Sequence, residues 1–322
     1  MLHEIEPNFY RITLRMPYRL RHVNAYLLAH GQELALFDTG LNTPQAYETL
    51  IKDLSGIGFT VKDIQQIYIT HVHTNHCSMA GLLQKESGAQ IHLSPVAFEE
   101  YQHFHQADPA VTQLRKFYSR QGMPSPLIDL VIEEYEDVRG IITEFHGDHF
   151  FSDRERCEFG DWKFDVVHTP GHATGHVCFF FRERGFLLSG DHVLPYIAPI
   201  LSPDIFNNDD LPLAAYLNSL RAIEHLPVSV VYLGHGTSFN DVRERLADIR
   251  KHHQKRKLLV LDHVNTKPKS TFDISNEVTS NAFSDFDKFL ALNETLIYLK
   301  ELKSERSVKE GMNNNIFTYT RA

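Results

Sequence analysis

Three histidines fall within six residues, His71, His73 and His76, in the run ITHVHTNHCSMAG. Imidazole nitrogens are ligands for zinc, copper, iron and nickel, so a group this dense points to a metal. In an extended segment residues i and i+2 point the same way, so His71 and His73 can grip one ion together. His76, displaced by a turn, can reach a neighbouring ion. Further on, His172 in FDVVHTPGH, Asp191 in FLLSGDH and His235 in VVYLGHG each follow an apolar run and stand beside a glycine. A nitrogen from His172 would give the first ion three histidines and an open position, the arrangement of a catalytic zinc. A carboxylate has two oxygens, so Asp191 could bridge two ions, and His76 and His235 would hold the second. A water bound in such a site turns into hydroxide near neutral pH.

Position 75 is the irregularity. It carries Asn where a site of this spacing would be expected to carry a carboxylate. An amide oxygen is a neutral, weaker ligand and cannot accept a proton from water. Two histidines and one carboxylate with open positions is also the facial set favoured by non-haem iron. Asn75 therefore bears on the occupancy of the second position, the choice of metal and the activity.

The elements that must carry these residues are short apolar strands. VNAYLLAH and ELALFDTG read as a hairpin through His30 and Gly31, and IQQIYIT as a buried strand that ends at the histidine cluster. Residues 44–57 read as a helix with Ala46, Leu50, Ile51 and Leu54 on one face, and residues 211–226 as another with Ala214, Leu217, Leu220 and Ile223 inward. MAGLLQKE opens a further helix and AQIHLS a further strand. Residues 95–142 carry helical periodicity and many aromatics, the mark of a helical insertion between strands. Strands return in CEFGDWKFDVVHTPG, HVCFFFRERGFLLSGD and VSVVYLGHG. Hairpin-like pairs among them argue against an all-parallel sheet and for two mixed sheets packed together with helices outside. The tail reads as helices over 241–263, 275–282 and 286–303, closed by a short strand at NIFTYTR, which is a winged-helix-like order.

The 322 residues are 42% hydrophobic and 23% charged, ordinary for a globular chain, and no apolar run approaches a bilayer span. The first twenty residues lack the apolar core of a signal peptide. Three distant cysteines, Cys77, Cys157 and Cys178, make no disulfide framework, so a reducing cytoplasm is expected. A net charge of −9 argues against a general nucleic-acid binder.

In order and spacing THVHTNH, HTPGHATGH, GDH and LGHG resemble the motifs of the metallo-β-lactamase superfamily, whose first motif is HxHxDH. VNAYLL and LFDTG are similar to its N-terminal hairpin and Asp-bearing turn, which puts Asp38 near the site in a supporting role. The resemblance covers residues 24–236 and departs at Asn75, where the family's Asp ligates the second metal and orients the attacking water. It implies an α/β (α+β) fold, an αββα four-layer sandwich over residues 1–240 with the insertion at about 95–142. A small helical, winged-helix-like C-terminal domain takes up 241–322. It implies one or two zinc ions, with iron or manganese as alternatives, held by His71, His73, His76, His172, Asp191 and His235. Asp191, His76 and Asn75 are the residues expected to act on water. The expected reaction is attack of a metal-bound hydroxide on the carbonyl of a small ester or thioester. The rivals are a ribonuclease or phosphodiesterase, and a catalytically weakened metal-binding member. A homodimer is compatible with all three.

Phe104, Tyr101 and Phe117 of the insertion, and Tyr196 after Asp191, are candidate pocket residues. Among the remaining histidines, His176 is expected to hydrogen-bond, His168 to pack or hydrogen-bond under its loop, and His252 and His253 to lie on a solvated face; His192, beside Asp191, could face a substrate but is not counted in the site.

Overall fold

The computed structural model describes residues 2–17, 20–105, 107–207, 210–279 and 284–322, with residues 107 and 108 given by their backbone alone. Two mixed sheets stack face to face. The first runs in the order β1 (Leu2–Glu6), β2 (Phe9–Arg15), β3 (His22–His30), β4 (Glu33–Phe37), β5 (Ile64–Tyr68), β6 (Gln90–Leu93), β7 (His149–Phe150). Its first four strands form an antiparallel meander, and β4 to β7 run parallel. The second sheet contains β8 (Arg156–Phe159), β9 (Trp162–His168), β10 (Val177–Phe181), β11 (Phe186–Leu188) and β12 (Val230–Tyr232), in the order β12-β11-β10-β9-β8. Only β11 and β12 pair in parallel within it.

Strand β10, VCFFF, shows how the sequence makes layers. Successive side chains point to opposite faces, and a strand covered on both sides is apolar throughout. Val177, Phe179 and Phe181 enter the core between the sheets with Phe9, Phe37, Tyr68 and Phe164. Cys178 and Phe180 enter the core between the second sheet and its helices. A third core lies on the outer side of the first sheet, where Ile12, Leu27, Leu36 and Ile67 meet Ala46, Leu50 and Leu54 of α1 (Pro44–Gly56). Three apolar slabs separate four layers, the expected αββα sandwich.

The short α2 (Thr74–Cys77) and α3 (Ala80–Ser87) follow β5. The insertion forms α4 (Pro95–His105), α5 (Ala107–Arg120) and α6 (Ser125–Ile141), and α7 (Pro212–Glu224) covers the second sheet. Two helix faces sit differently from the expected pattern. Ile51 is exposed, because α1 presents only Ala46, Leu50 and Leu54 to the sheet. In α7 the buried face is centred on Leu213, Tyr216, Leu220 and Ile223, leaving Ala214 and Leu217 half-buried. Tyr216 is buried despite its hydroxyl because that group donates to the His192 carbonyl at 2.8 Å.

The tail forms α8 (Val242–His263), α9 (Thr271–Val278), α10 (Asp285–Ser304) and a small sheet of β13 (Lys269–Ser270), β14 (Val308–Asn313) and β15 (Ile316–Arg321) in the order β13-β15-β14. The helix expected at 275–282 begins four residues earlier, and 280–282 lie outside the described residues. The cause is a reciprocal capping box between Ser270 and Asp273, which starts the helix at Thr271. β14, VKEGMN, lacks an apolar alternation and escapes notice in the sequence. It is held by a two-residue turn, Asn314 and Asn315, both at positive φ, a conformation asparagine tolerates. The tail shares the second sheet's outer core through Ile297, Tyr298 and Tyr319, while Leu292 and Leu296 pack on the insertion.

Phe179 is fully buried among the rings of Phe37, Phe164, Phe151 and Tyr68, with centroids 5.1 to 6.0 Å away. Phe179→Ala should cost about 3–5 kcal/mol. Urea unfolding would read this as a lower midpoint, and an unchanged midpoint would contradict the position of this ring in the inter-sheet core.

Candidate metal centre

Each chemistry-bearing residue lies just past a strand end. Asp38 follows β4, His71 and His73 follow β5, and Asn75 and His76 sit in α2. His172 follows β9, Asp191 follows β11 and His235 follows β12. Because β4 runs parallel to β5, and β11 to β12, these ends share one rim of the sandwich. Loops at such a rim are where a rigid scaffold carries function.

The rim brings the side chains into contact. His71 Nε2 lies 3.1 Å from His73 Nδ1, and the rings of His71 and His73 lie 5.0 and 4.5 Å from that of His172. Asp191 Oδ2 lies 3.2 Å from His235 Nε2, 3.4 Å from His76 Nε2 and 3.7 Å from His172 Nε2. Two triads have ligand-type atoms within 4.8 Å of one another: His71, His73 and His172, and His71, His76 and Asp191. His235 belongs to neither triad and meets the group through Asp191 and through an edge-on contact with the His76 ring, centroids 5.6 Å apart.

Other bonds aim the imidazoles. His76 Nδ1 bonds to Asp38 Oδ2 at 2.8 Å, His172 Nδ1 to the Ile200 carbonyl at 2.6 Å and His235 Nδ1 to the His22 carbonyl at 2.7 Å. Asp38 also accepts the Thr70 amide and hydroxyl, at 2.8 and 2.9 Å. A carbonyl can only accept, so the Nδ1 of His172 and of His235 carries a proton, and Nε2 is the nitrogen turned inward. The loop that carries His235 is tied by Asn24 Nδ2, which donates to the Leu233 and Gly236 carbonyls at 3.0 Å, and by the Tyr26 hydroxyl, which donates to Leu233 at 2.9 Å. None of these anchors belongs to the expected ligand set, though Asn24 and Tyr26 stand in the VNAYLL hairpin. Gly234 is required by space: a Cβ there would lie 2.3 Å from Asp191 Oδ1 and 2.6 Å from His76 Cε1.

The electrostatics suit a cation. Burial holds His71 well below its usual pKa, with the neighbouring imidazoles adding to the effect, so its ring is a neutral donor. Burial opposes charge on His76 as well, yet the carboxylates of Asp191 and Asp38 outweigh it and lift the group to about 10. Burial works against an ionised Asp191 too, but His76 and His235 pull it well below the usual carboxylate range. His76 Nε2, His172 Nε2 and Asp191 Oδ1 are buried without a hydrogen-bond partner. Buried polar atoms normally have one, so these atoms fit a divalent ion, which would take the place of the proton that His76 Nε2 holds without it.

Asn75 meets the group differently. Its Nδ2 lies 3.1 Å from His235 Nε2, and an amide N–H can only donate, so it bonds that nitrogen in the tautomer whose lone pair lies there. The amide thus uses the electron pair that would face a second ion.

The remaining expectations divide. Phe104 lines the adjoining cleft. Tyr101 stacks on Phe145 at 4.1 Å in the core, and Phe117 packs in the cluster of α5, α6 and α10. Tyr196 is 83% exposed and outside the cleft. His176 Nδ1 meets Thr169 Oγ1 at 2.8 Å, while His192 is fully buried with both ring nitrogens unpartnered. His168 is half-buried, its Nε2 without a partner. His252 is exposed, but His253 is buried and meets the Tyr298 hydroxyl at 2.9 Å, because α10 covers that side of α8.

Strand ends, triads and anchors of this kind define a metallo-hydrolase site on a four-layer sandwich. The chain belongs to the metallo-beta-lactamase superfamily, whose sequence pattern matches residues 18–235. It is similar to the probable metallo-hydrolase YqjP of Bacillus subtilis (strain 168), with 26% identity over 308 residues, 92% of each chain. It is also similar to an atrochrysone carboxyl ACP thioesterase of Aspergillus fumigatus, 22% identical over 229 residues, 71% of this chain and 41% of that one. Among solved structures, a metallo-beta-lactamase family protein from Thermus thermophilus superposes with a TM-score of 0.88 at 28% identity, covering 99% of this chain and all of that one. Membership sets the chain among the hydrolases of that superfamily, and the fold implies divalent metal binding.

Asp38 has φ +57°, in the left-handed region that asparagine also tolerates. Asp38→Asn therefore removes a charge without backbone strain. Loss of such a supporting carboxylate should weaken metal binding about 10–100-fold. Titration with zinc in a competing chelator would measure it, and equal affinity would mean that Asp38 has no part in holding the site.

Proposed function

We propose that the chain is a metal-dependent hydrolase of small ester or thioester substrates. The observation that carries this reading is a cleft of about 520 Å³ that opens on His73, Asn75 and His172. Its outer walls are Phe104, Tyr135, Ile205 and Phe289, and no Lys or Arg is among the described residues that line it. Small-molecule sites have roughly this size, with mostly apolar walls and a few polar groups. A nuclease reading would want cationic walls here for phosphates. The resemblance to a thioesterase supports the same choice.

In this reading His71, His73 and His172 would hold one zinc ion, and His76, His235 and Asp191 would serve a second. A bound divalent ion supplies Lewis acidity, polarising a carbonyl and lowering the pKa of water. The chain's own residues do the rest. Asp38 and the Ile200 and His22 carbonyls keep the imidazoles turned inward. The apolar walls hold the acyl group and exclude bulk water. The overall change adds water across the C–S or C–O bond, giving an acid and a thiol or alcohol. Asn75 cannot take a proton, and its amide holds His235 Nε2. Three free thiols fit a reducing compartment, and no helix of the described residues is long and apolar enough to cross a membrane.

The test is hydrolysis of a panel of short acyl thioesters and aryl esters by the zinc-loaded protein, with elemental analysis. Turnover that chelation abolishes is expected. No turnover of any member, alongside cleavage of RNA, would overturn the reading. Asn75→Asp supplies a carboxylate and frees His235, so bound metal should rise from about one ion per chain towards two, with faster turnover. A stoichiometry that stays the same would mean that Asn75 does not limit the second position.

A further inference from the structure

On the far side of His235 from the apolar cleft lies a second groove, of about 1270 Å³. The two share the metal centre's rim: His22, whose carbonyl receives His235 Nδ1–H, is one wall of the groove. Its other walls include Arg11 and Arg15 of β2, Arg21 just before β3, His3 of β1, and Thr43, the N-cap of α1. No Asp or Glu is among the described residues that line it.

This is unusual in a chain of net charge −9. Some arginines elsewhere meet carboxylates, as Arg156 and Arg182 share Asp165, Arg250 meets Glu224 and Arg256 meets Glu294, while others, such as Arg120 and Arg245, do not. Arg11, Arg15 and Arg21 make no ion pair with any described carboxylate, and Arg11 Nε is buried without a partner. Alternation along β2 puts residues 11, 13 and 15 on one face, so Arg11 and Arg15 point the same way. The start of α1 borders the groove from the other face of the first sheet, where Ile12 and Leu14 pack; Pro44 has no N–H and the Ala46 N–H goes to Thr43 Oγ1, so the helix adds little beyond the Gln45 N–H. Clustered guanidinium groups with no internal counter-charge suit phosphate oxygens, which they bind bidentately.

We infer that this groove binds the leaving-group side of the substrate, and that this side is a small phosphorylated carrier of the nucleotide-thiol type. The inference rests on the acyl-hydrolase reading and names its substrate class. The acyl group lies in the apolar cleft, the scissile bond at the metal centre, and the phosphates among Arg11, Arg15 and Arg21. The same chemistry could hold an RNA backbone, but a polynucleotide continues on both sides of the scissile group. Here the cationic surface stops at the rim, and the apolar cleft offers Glu100 and Asp204 instead. A carrier with phosphates at one end and an acyl group at the other matches both sides.

The test uses the full-length, zinc-loaded protein. Adenosine 3′,5′-bisphosphate is the binding probe, followed by calorimetry at low and high salt. Binding that weakens with salt, and that the exposed pair Arg15→Glu with Arg21→Glu weakens at least about tenfold, is expected. A coenzyme A thioester and the N-acetylcysteamine thioester of the same acyl group then report selectivity. The ratio of their kcat/KM values should fall about tenfold in the double variant. Absence of bisphosphate binding, or equal binding by the variant, overturns the inference even if both thioesters are hydrolysed. Preferential binding and cleavage of a short single-stranded RNA overturns it too. Failure of the hydrolase reading itself is separate: neither thioester turns over, while bisphosphate binding stands or falls by the arginines.

Discussion

Asp191 is buried with one oxygen 3.2 to 3.7 Å from three imidazole nitrogens and the other without a hydrogen-bond partner. Taking a carboxylate out of water costs several kcal/mol unless opposite charge or donors offset it. The offset comes from rings that cannot turn away, because Asp38, Ile200 and His22 hold their outer nitrogens. Gly234 completes the constraint, since any side chain there would strike the carboxylate. The site is therefore one arrangement of five loops: moving any of them exposes or strands a charge.

That arrangement needs a rigid rim, and the core between the sheets supplies it. Phe9, Phe37, Phe164, Phe179, Phe181 and Phe186 interlock through stacked and edge-on contacts, with several centroid separations between 4.4 and 5.7 Å. Such rings fill space at low conformational freedom and hold the strand ends in register. Glu100 of the insertion then fixes the His172 loop, accepting the Thr174 and Gly175 amides at 2.9 and 3.1 Å. Burial raises the pKa of Glu100, and those two amides act in the opposite direction. The insertion is thus tied to the metal rim as well as walling its cleft.

The centre also divides two unlike surroundings. One side is apolar and bordered by acids, and the other is cationic with no acids among its described walls. Asn75 lies on the apolar side and reaches across to His235. Its amide preserves a hydrogen bond while withholding a negative charge, which shifts the weight of charge compensation onto Asp38 and Asp191.

The residues gathered at the rim can be picked out by eye along the chain. So can the four layers, since strands such as VCFFF and helices such as 44–56 carry their burial in their periodicity. Those features are local: residue type, spacing and the strand just before each His or Asp. Where the local signal is weak, the sequence misleads. VKEGMN is too polar to read as a strand, and the Ser270–Asp273 cap does not stand out as a helix start. His253 sits in a basic run but faces a tyrosine that the sequence places 45 residues away. Only the tertiary structure decided which nitrogen of each imidazole faces inward, because two of the partners that settle it are main-chain carbonyls, which every residue has. The cationic groove was equally hidden, as its arginines and helix end come from three elements that are unremarkable one by one. Sequence determined which chemistry was available; packing determined its direction, since hydrogen bonds and charges act over a few ångströms that only the folded chain brings within reach.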